Sequence, residues 1–272
     1  MFNSISSQAS KLINLTKRRS IKESKTKLLT ITSGKGGVGK STFTANMAYI
    51  LSKRGYKVVV IDADIGLANM QVLFNMRPAL TLFDYIEGHV KLDEVLLQTP
   101  YENITLVAGK SGFQYSNHSN SFVFSRIVED ILNLNKFDIV LIDTGAGLNE
   151  YVKEFLQISD HILAITTTDP SALTDVYALM KMLSKDKNQL KICFNHTKNF
   201  KIGQTITNSL ESLAKNNRLN PEFMIEYIGN VSTSHNITST GRLRKLFSNE
   251  FKNETVTKEL EIVIDALLKT LY

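Results

Sequence analysis

Only one of the 272 residues is cysteine, Cys193. A lone thiol excludes an internal disulfide framework and any thiolate metal cluster built within one chain. It sits in the apolar run LKICFN, so the expectation is a buried core thiol. No apolar run reaches the roughly eighteen residues that a spanning helix needs. The N-terminal stretch also lacks the apolar core of a secretion signal, because Lys11, Lys17, Arg18 and Arg19 interrupt it. A cytosolic location is the default expectation. Net charge is missing from most of the chain as well. Residues 1–27 carry seven basic side chains (Lys11, Lys17, Arg18, Arg19, Lys22, Lys25, Lys27) against Glu23, which accounts for the whole formal charge of +6. The rest is formally neutral and gives no support to a broadly basic face, so nucleic acid is not an expected partner.

What the chain does have is alternation. Apolar runs at 27–32, 57–62, 103–109, 137–143, 161–167, 190–195 and 223–229 read as strands, and most are continuous rather than alternating. Strands of that kind are covered on both faces. Helical periods fall near 41–54, 121–135, 148–158, 171–185 and 203–217. The pattern predicts an α/β fold, a doubly wound and mostly parallel sheet flanked by helices. Three regions are expected: a basic arm at 1–26, a nucleotide-binding domain at 27–250, and a C-terminal amphipathic helix at 251–272. In that last segment Leu260, Val263, Ile264, Leu267, Leu268 and Leu271 share one helical face.

Between the first strand and the first helix runs TSGKGGVGKSTF. Gly34 to Ser41 satisfy G-x-x-x-x-G-K-[ST], the phosphate-binding loop of P-loop NTPases. Gly36, Gly37 and Gly39 let the backbone curl so that its N–H groups face phosphate oxygens. Lys40 is expected on the β- and γ-phosphates and Ser41 on Mg²⁺. Asp62 and Asp64 close the strand run VVVIDADIG, and Asp143 closes FDIVLID. Carboxylates at the C-terminal ends of adjacent parallel strands lie where ligands bind in open sheets, fit to order a metal shell or an attacking water. GLAN and TGAG, after these strands, read as flexible loops able to respond to a γ-phosphate. Asn195, ending LKICFN, offers an amide suited to an adenine edge; a strand-end turn residue is the other reading.

Together GKGGVGKST, IDADIGLAN and DTGAG resemble the MinD/ParA class of deviant Walker-A ATPases over roughly residues 27–245. The resemblance implies ATP and Mg²⁺ as cofactors and a nucleotide-sandwiched homodimer. It assigns nucleotide contacts to Gly34, Lys35, Gly36, Gly37, Val38, Gly39, Lys40, Ser41, Thr42 and Asn195. It gives Lys35 to the partner's phosphates, Asp64 to the hydrolytic water, and Ser41, Asp62 and Asp143 to the Mg²⁺ shell. A cation inserted in trans would stabilise transition-state charge as an arginine finger does. Iron-protein relatives that share the loop bridge their dimer with cysteine pairs, which one Cys193 does not supply.

Within the class, DTGAG and TTTDPSALTDVYALMK are most similar to the flagellar-number regulators of the FlhG group. That likeness implies a slow ATPase switch acting at the inner face of the cell membrane, with an FlhF-like GTPase as partner. Those regulators carry an N-terminal D-Q-A-x-x-L-R element. SQASKLI at 7–13 keeps Gln8, Ala9 and Leu12, with Ser7 in place of the acid and Ile13 in place of the arginine. Membrane contact is implied for the helix at 257–271, with GRLRKLF at 241–247 as a second candidate. A helix packed on the core is the other reading of 257–271, because its polar face is not basic. The alternative function is a ParA-type positioning ATPase that rides on DNA.

Overall fold

The computed structural model describes residues 25–65, 68–110, 123–197 and 199–272. Strand β1 (Lys27–Ser33) is buried almost throughout, because it lies between β5 (Ile139–Ala146) and β6 (His161–Thr166) and is paired parallel with both. The remaining strands are β2 (Val58–Ala63), β3 (Leu97–Gln98), β4 (Ile104–Val107), β7 (Gln189–Asn195) and β8 (Met224–Val231). They form one eight-stranded sheet in the order β3-β4-β2-β5-β1-β6-β7-β8. Among the described residues, only the short edge strand β3 runs antiparallel, against β4.

Successive residues of each strand feed opposite faces. Leu29, Ile31, Val58, Val60, Ile139 and Leu141 pack beneath helix α1 (Lys40–Lys53) and helix α11 (Thr255–Leu271). Their neighbours Leu28, Val59, Ile61, Val140 and Ile142 pack on the other face with Phe124 of α5 (Val123–Asn133) and Phe155 of α6 (Glu150–Ile158). Towards β7 that face is covered by α7 (Pro170–Leu183) and α8 (Phe200–Asn216). Each fully buried Val, Leu or Ile contributes on the order of 2 kcal/mol of transfer free energy, which is why unbroken apolar strands end up between two helical layers. Short helices α2 (Met70–Leu73), α3 (Leu82–Ile86) and α4 (Leu92–Val95) link β2 to β3; α9 (His235–Arg242) and α10 (Phe247–Glu250) precede α11.

The doubly wound sheet is as expected, with each predicted strand within a few residues of its place. The sequence reading missed β3 and the one-turn helices, which are too short to show a period. It also ended β5 at Asp143, whereas the strand continues through Thr144–Ala146. Thr144 is buried and donates to the carbonyl of Ile31 at 3.2 Å, and Gly147 N–H bonds Ser33 at 3.0 Å. DTGAG is therefore a sheet-bound turn rather than a loose loop. Cys193 is fully buried, as predicted.

The C-terminal helix joins the same core as the rest. Leu260, Val263, Ile264 and Leu267 are buried among α1 and the central strands, and Leu268 is partly buried beside them; Leu271 is buried as well. The predicted apolar face is real, and it is turned inward, so residues 251–272 share their core with 27–250. Among the described residues, no helix is long and apolar enough to cross a membrane. The arm at 1–24, with Gln8, Ala9 and Leu12, lies outside the described residues, as do Gly66 and Leu67 of GLAN.

Candidate nucleotide-binding site

The loop between β1 and α1 stands at the C-terminal edge of the sheet, where the connections from the central strand β1 and its neighbours diverge. That is the crevice in which open α/β sheets bind ligands. Gly37 and Gly39 have φ of +79° and +88°, left-handed values that non-glycine residues adopt at a cost. A Cβ on Gly37 would point into open space, so the outer rim of the loop is clear. Gly39 and Gly34 are constrained from behind. A Cβ on Gly39 would stand 2.4 Å from the Asn195 amide nitrogen, and one on Gly34 would stand 2.3 Å from Asp175 Cβ of α7. The loop is thus wedged between β7 and α7 while its open side faces outward. The cap position of α1 makes no side-chain hydrogen bond and no acidic residue occupies its first turn, which leaves a helix N-terminus fit for an anion.

Below the loop the polar groups converge on Asp143. Lys40 Nζ lies 3.0 Å from Asp143 Oδ1 in a buried ion pair. Ser41 Oγ donates to Asp143 Oδ2 at 2.6 Å, and Thr44 Oγ1 to Oδ1 at 3.0 Å. Asp62, directly opposite Asp143 in the β2–β5 register, accepts the backbone N–H groups of Asn69 and Met70 at 3.0 and 2.9 Å. It therefore caps α2 as well as facing the site. Burial, and then the charge of Asp143, push its carboxyl up to about 7. Asp64 is half-buried and also raised, mainly by burial. Its carboxylate sits 3.1 Å from where a Gly145 Cβ would be, so the glycine after Thr144 makes room for it.

Two placements refine the sequence reading. Asn195 is engaged within the chain: its amide donates to the Val38 carbonyl at 2.8 Å and its carbonyl oxygen accepts from His196 N–H at 3.0 Å. Lys35 is engaged at the start of α7, donating to Ser171 Oγ at 2.5 Å and to Asp169 Oδ2 at 3.2 Å. Asp169 caps α7, and Ser171 followed by Lys35 holds its carboxyl down at about 2. Asp169 and Ser171 were missed as site residues, although Asp followed by Pro at a helix start is a readable cap. Thr44 was missed too; one turn beyond the loop motif, it carries no pattern of its own.

Beside His196 opens a cleft of about 700 Å³ lined also by Ser232, Ser234, Asn236 and Glu254. It continues the site towards β8, across the stretch GNVSTSHNI. His196 is held below its usual range by burial.

The donor set fits Mg²⁺ with a nucleotide. Among the described residues, no group of three or more His, Cys, Asp and Glu could cage a metal. A hydroxyl and two carboxylates beside an open anion cradle suit an octahedral ion that takes its other oxygens from phosphates and water.

The AAA domain family matches residues 26–196. Flagellum site-determining protein YlxH of Helicobacter pylori is 35% identical over 272 residues, covering 99% of this chain and 92% of that protein. Antiactivator FleN of Pseudomonas aeruginosa is 35% identical over 160 residues, 58% of this chain and 57% of its own length. In fold, MinD of Pyrococcus horikoshii, solved with Mg-ADP, superposes with a TM-score of 0.73 at 19% identity over 90% of this chain and 97% of its own. The Aquifex aeolicus MinC:MinD complex gives 0.73 at 23% identity, covering 89% of this chain and 96% of the matched one. With the loop, its second lysine and the three strand-end aspartates in place, this chain belongs to the MinD/ParA class of deviant Walker-A ATPases, in the AAA-domain family and alongside flagellum site-determining protein YlxH.

Proposed function

We propose that this protein is a Mg²⁺-dependent ATPase whose ATP-bound form is a homodimer, and that it regulates the number or placement of flagella at the cell membrane. The observation that carries the ATPase reading is the convergence of Lys40, Ser41 and Thr44 on Asp143 beneath an open glycine cradle. Lys40 would hold the β- and γ-phosphates, and the loop N–H groups would orient them. Ser41 would bind the metal directly, with Asp62 and Asp143 ordering its waters. When bound, Mg²⁺ neutralises phosphate charge and eases departure of the ADP oxygen. Asp64, half-buried at the mouth, would orient the attacking water. Asn195 would hand its amide from Val38 to the base. Lys35 would leave Asp169 and Ser171 to reach the partner's phosphates.

The flagellar role rests on the likeness to YlxH along nearly the whole chain. An FlhF-like GTPase bound through Gln8, Ala9 and Leu12 is part of the same proposal. For membrane contact, the turn after α9 is the supporting surface: Leu243 is 66% exposed and is followed by exposed Arg244 and Lys245. Apolar tips flanked by basic groups suit an anionic lipid surface.

The test is ATP turnover and oligomeric state by light scattering for wild type, Lys40→Ala, Lys35→Ala and Asp64→Ala. Turnover should vanish in the first variant and fall at least tenfold in the others, with Asp64→Ala trapped as an ATP-bound dimer. Normal hydrolysis by Lys35→Ala would remove the dimer assignment. Unchanged flagellar counts in cells lacking the protein would remove the cellular one.

A further inference from the structure

Asp143 is buried, and among the described residues its carboxylate takes hydrogen bonds from three side chains of α1. Lys40 Nζ and Thr44 Oγ1 each stand 3.0 Å from Oδ1, and Ser41 Oγ stands 2.6 Å from Oδ2. Ser41 and Thr44 are i and i+3 on one face of the helix, so their hydroxyls grip one oxygen each. Thr44 is fully buried, and its hydroxyl also lies 3.0 Å from the Lys40 carbonyl one turn back. A hydroxyl has a single proton to donate, so those two acceptors share it. Bound nucleotide makes different demands on the three donors. Ser41 can offer its lone pairs to a metal and keep its proton on Oδ2. Lys40 can reach phosphates only by withdrawing from Oδ1. Thr44 is then the remaining side-chain donor to that oxygen.

We propose that Thr44 is a positioning residue for the transfer of Lys40 from Asp143 to the nucleotide. Its proton settles on Oδ1 as the ammonium leaves, which lowers the cost of opening the ion pair. This role rests on the nucleotide reading above. Separating one member of a buried pair strands the other charge, and that penalty falls on ATP affinity. Thr44 reduces the penalty by giving up only a weak bond to the Lys40 carbonyl, a group that the helix ladder also serves. Its grip with Ser41 on both oxygens further fixes the plane of the carboxylate that is to order the metal's waters. A valine at this position would fill the same volume and leave Oδ1 to Lys40 alone, tightening the pair that ATP has to break.

The test measures ATP·Mg²⁺ affinity by titration calorimetry, and melting of the nucleotide-free protein, for wild type, Thr44→Val and Thr44→Ser. Thr44→Val is expected to bind about tenfold more weakly, as loss of a hydrogen bond to a charged group implies. It should melt no more than about 4 °C lower, since Lys40 still holds Oδ1. Thr44→Ser loses a buried methyl and keeps the hydroxyl, so it should melt about 2–4 °C lower yet recover most of the affinity. Wild-type affinity in Thr44→Val overturns the proposal. So does an equal loss in Thr44→Ser and Thr44→Val, which would make packing the cause. If Thr44→Val does not fold, Thr44→Ala against Thr44→Ser carries the same comparison. A double-mutant cycle adds Asp143→Asn, where no ion pair has to be opened. There Thr44→Val should cost less than about threefold, and a full tenfold loss would overturn the Lys40 transfer. Failure of the wild type to bind ATP·Mg²⁺ would instead overturn the nucleotide reading itself.

Discussion

Replacing Leu260 by alanine asks directly where the apolar face of α11 resides. Leu260 is fully buried, in the cluster that joins α11 to α1 and the central strands. Truncating such a side chain removes its transfer free energy and leaves a cavity, together about 3 kcal/mol with a range of roughly 2–5. For a domain of this size each kcal/mol moves the melting temperature by about 2–4 °C, so Leu260→Ala should melt about 6–12 °C below wild type. Ile262 lies on the same helix and is 59% exposed. Ile262→Ala keeps helix propensity and makes no cavity, so it should stay within about 1 °C of wild type. The assay is scanning calorimetry of both variants, alone, with ATP·Mg²⁺, and with anionic vesicles. Near-equal melting of Leu260→Ala and wild type in the nucleotide-free protein would refute the docked helix. Loss of the difference only when ATP and vesicles are both present would show that the helix leaves the core for lipid.

Three other outcomes are expected. Asp62 titrates near 7 in the folded chain against about 4 when unfolded, so its ionisation opposes folding: that burden is absent below pH 4, grows as pH rises to 7, and is full above it. Asp62→Asn should therefore raise the metal-free melting temperature at pH 8 and lose that advantage progressively as pH falls to 4, as thermal scans across the range would show; a pH-independent difference would refute the electrostatic cause. Gly39→Ala must hold an alanine at φ +88° and set its Cβ against the Asn195 amide; ATP affinity should fall at least about tenfold by calorimetry, since the backbone cost alone is about 1–2 kcal/mol. Asp169→Ala frees Lys35 from an exposed pair that adds little to stability, but it also removes the side-chain cap of α7; the melting temperature should fall by only about 2–4 °C, while the dimer fraction at limiting ATP, read by light scattering, should rise.

Local chemistry left the clearer marks on the sequence. Continuous apolar runs such as VVVID and IVLID could only be strands covered on both faces, and the glycine spacing of 34–41 had one economical use. Those two features bring Lys40, Ser41, Asp62 and Asp143 together, because parallel strands all deliver their C-terminal ends to one edge. What the sequence left open were contacts between residues far apart in the chain. It offered Asn195 as a turn residue or a base reader, and only the fold shows its amide on Val38, across 157 positions. It gave Lys35 a partner in another chain; the fold supplies Asp169 and Ser171 within this one.

The amphipathic tail makes the division plain. Its 3.6-residue period determined that one face of 257–271 must be removed from water, since apolar burial depends only on which side chains are there. Whether core or lipid receives that face is a comparison between two environments of similar polarity, and sequence carries no term that separates them. Tertiary structure decided it through shape: the groove between α1 and β8 accepts Leu260, Val263, Ile264 and Leu267, and close packing there holds the helix in place.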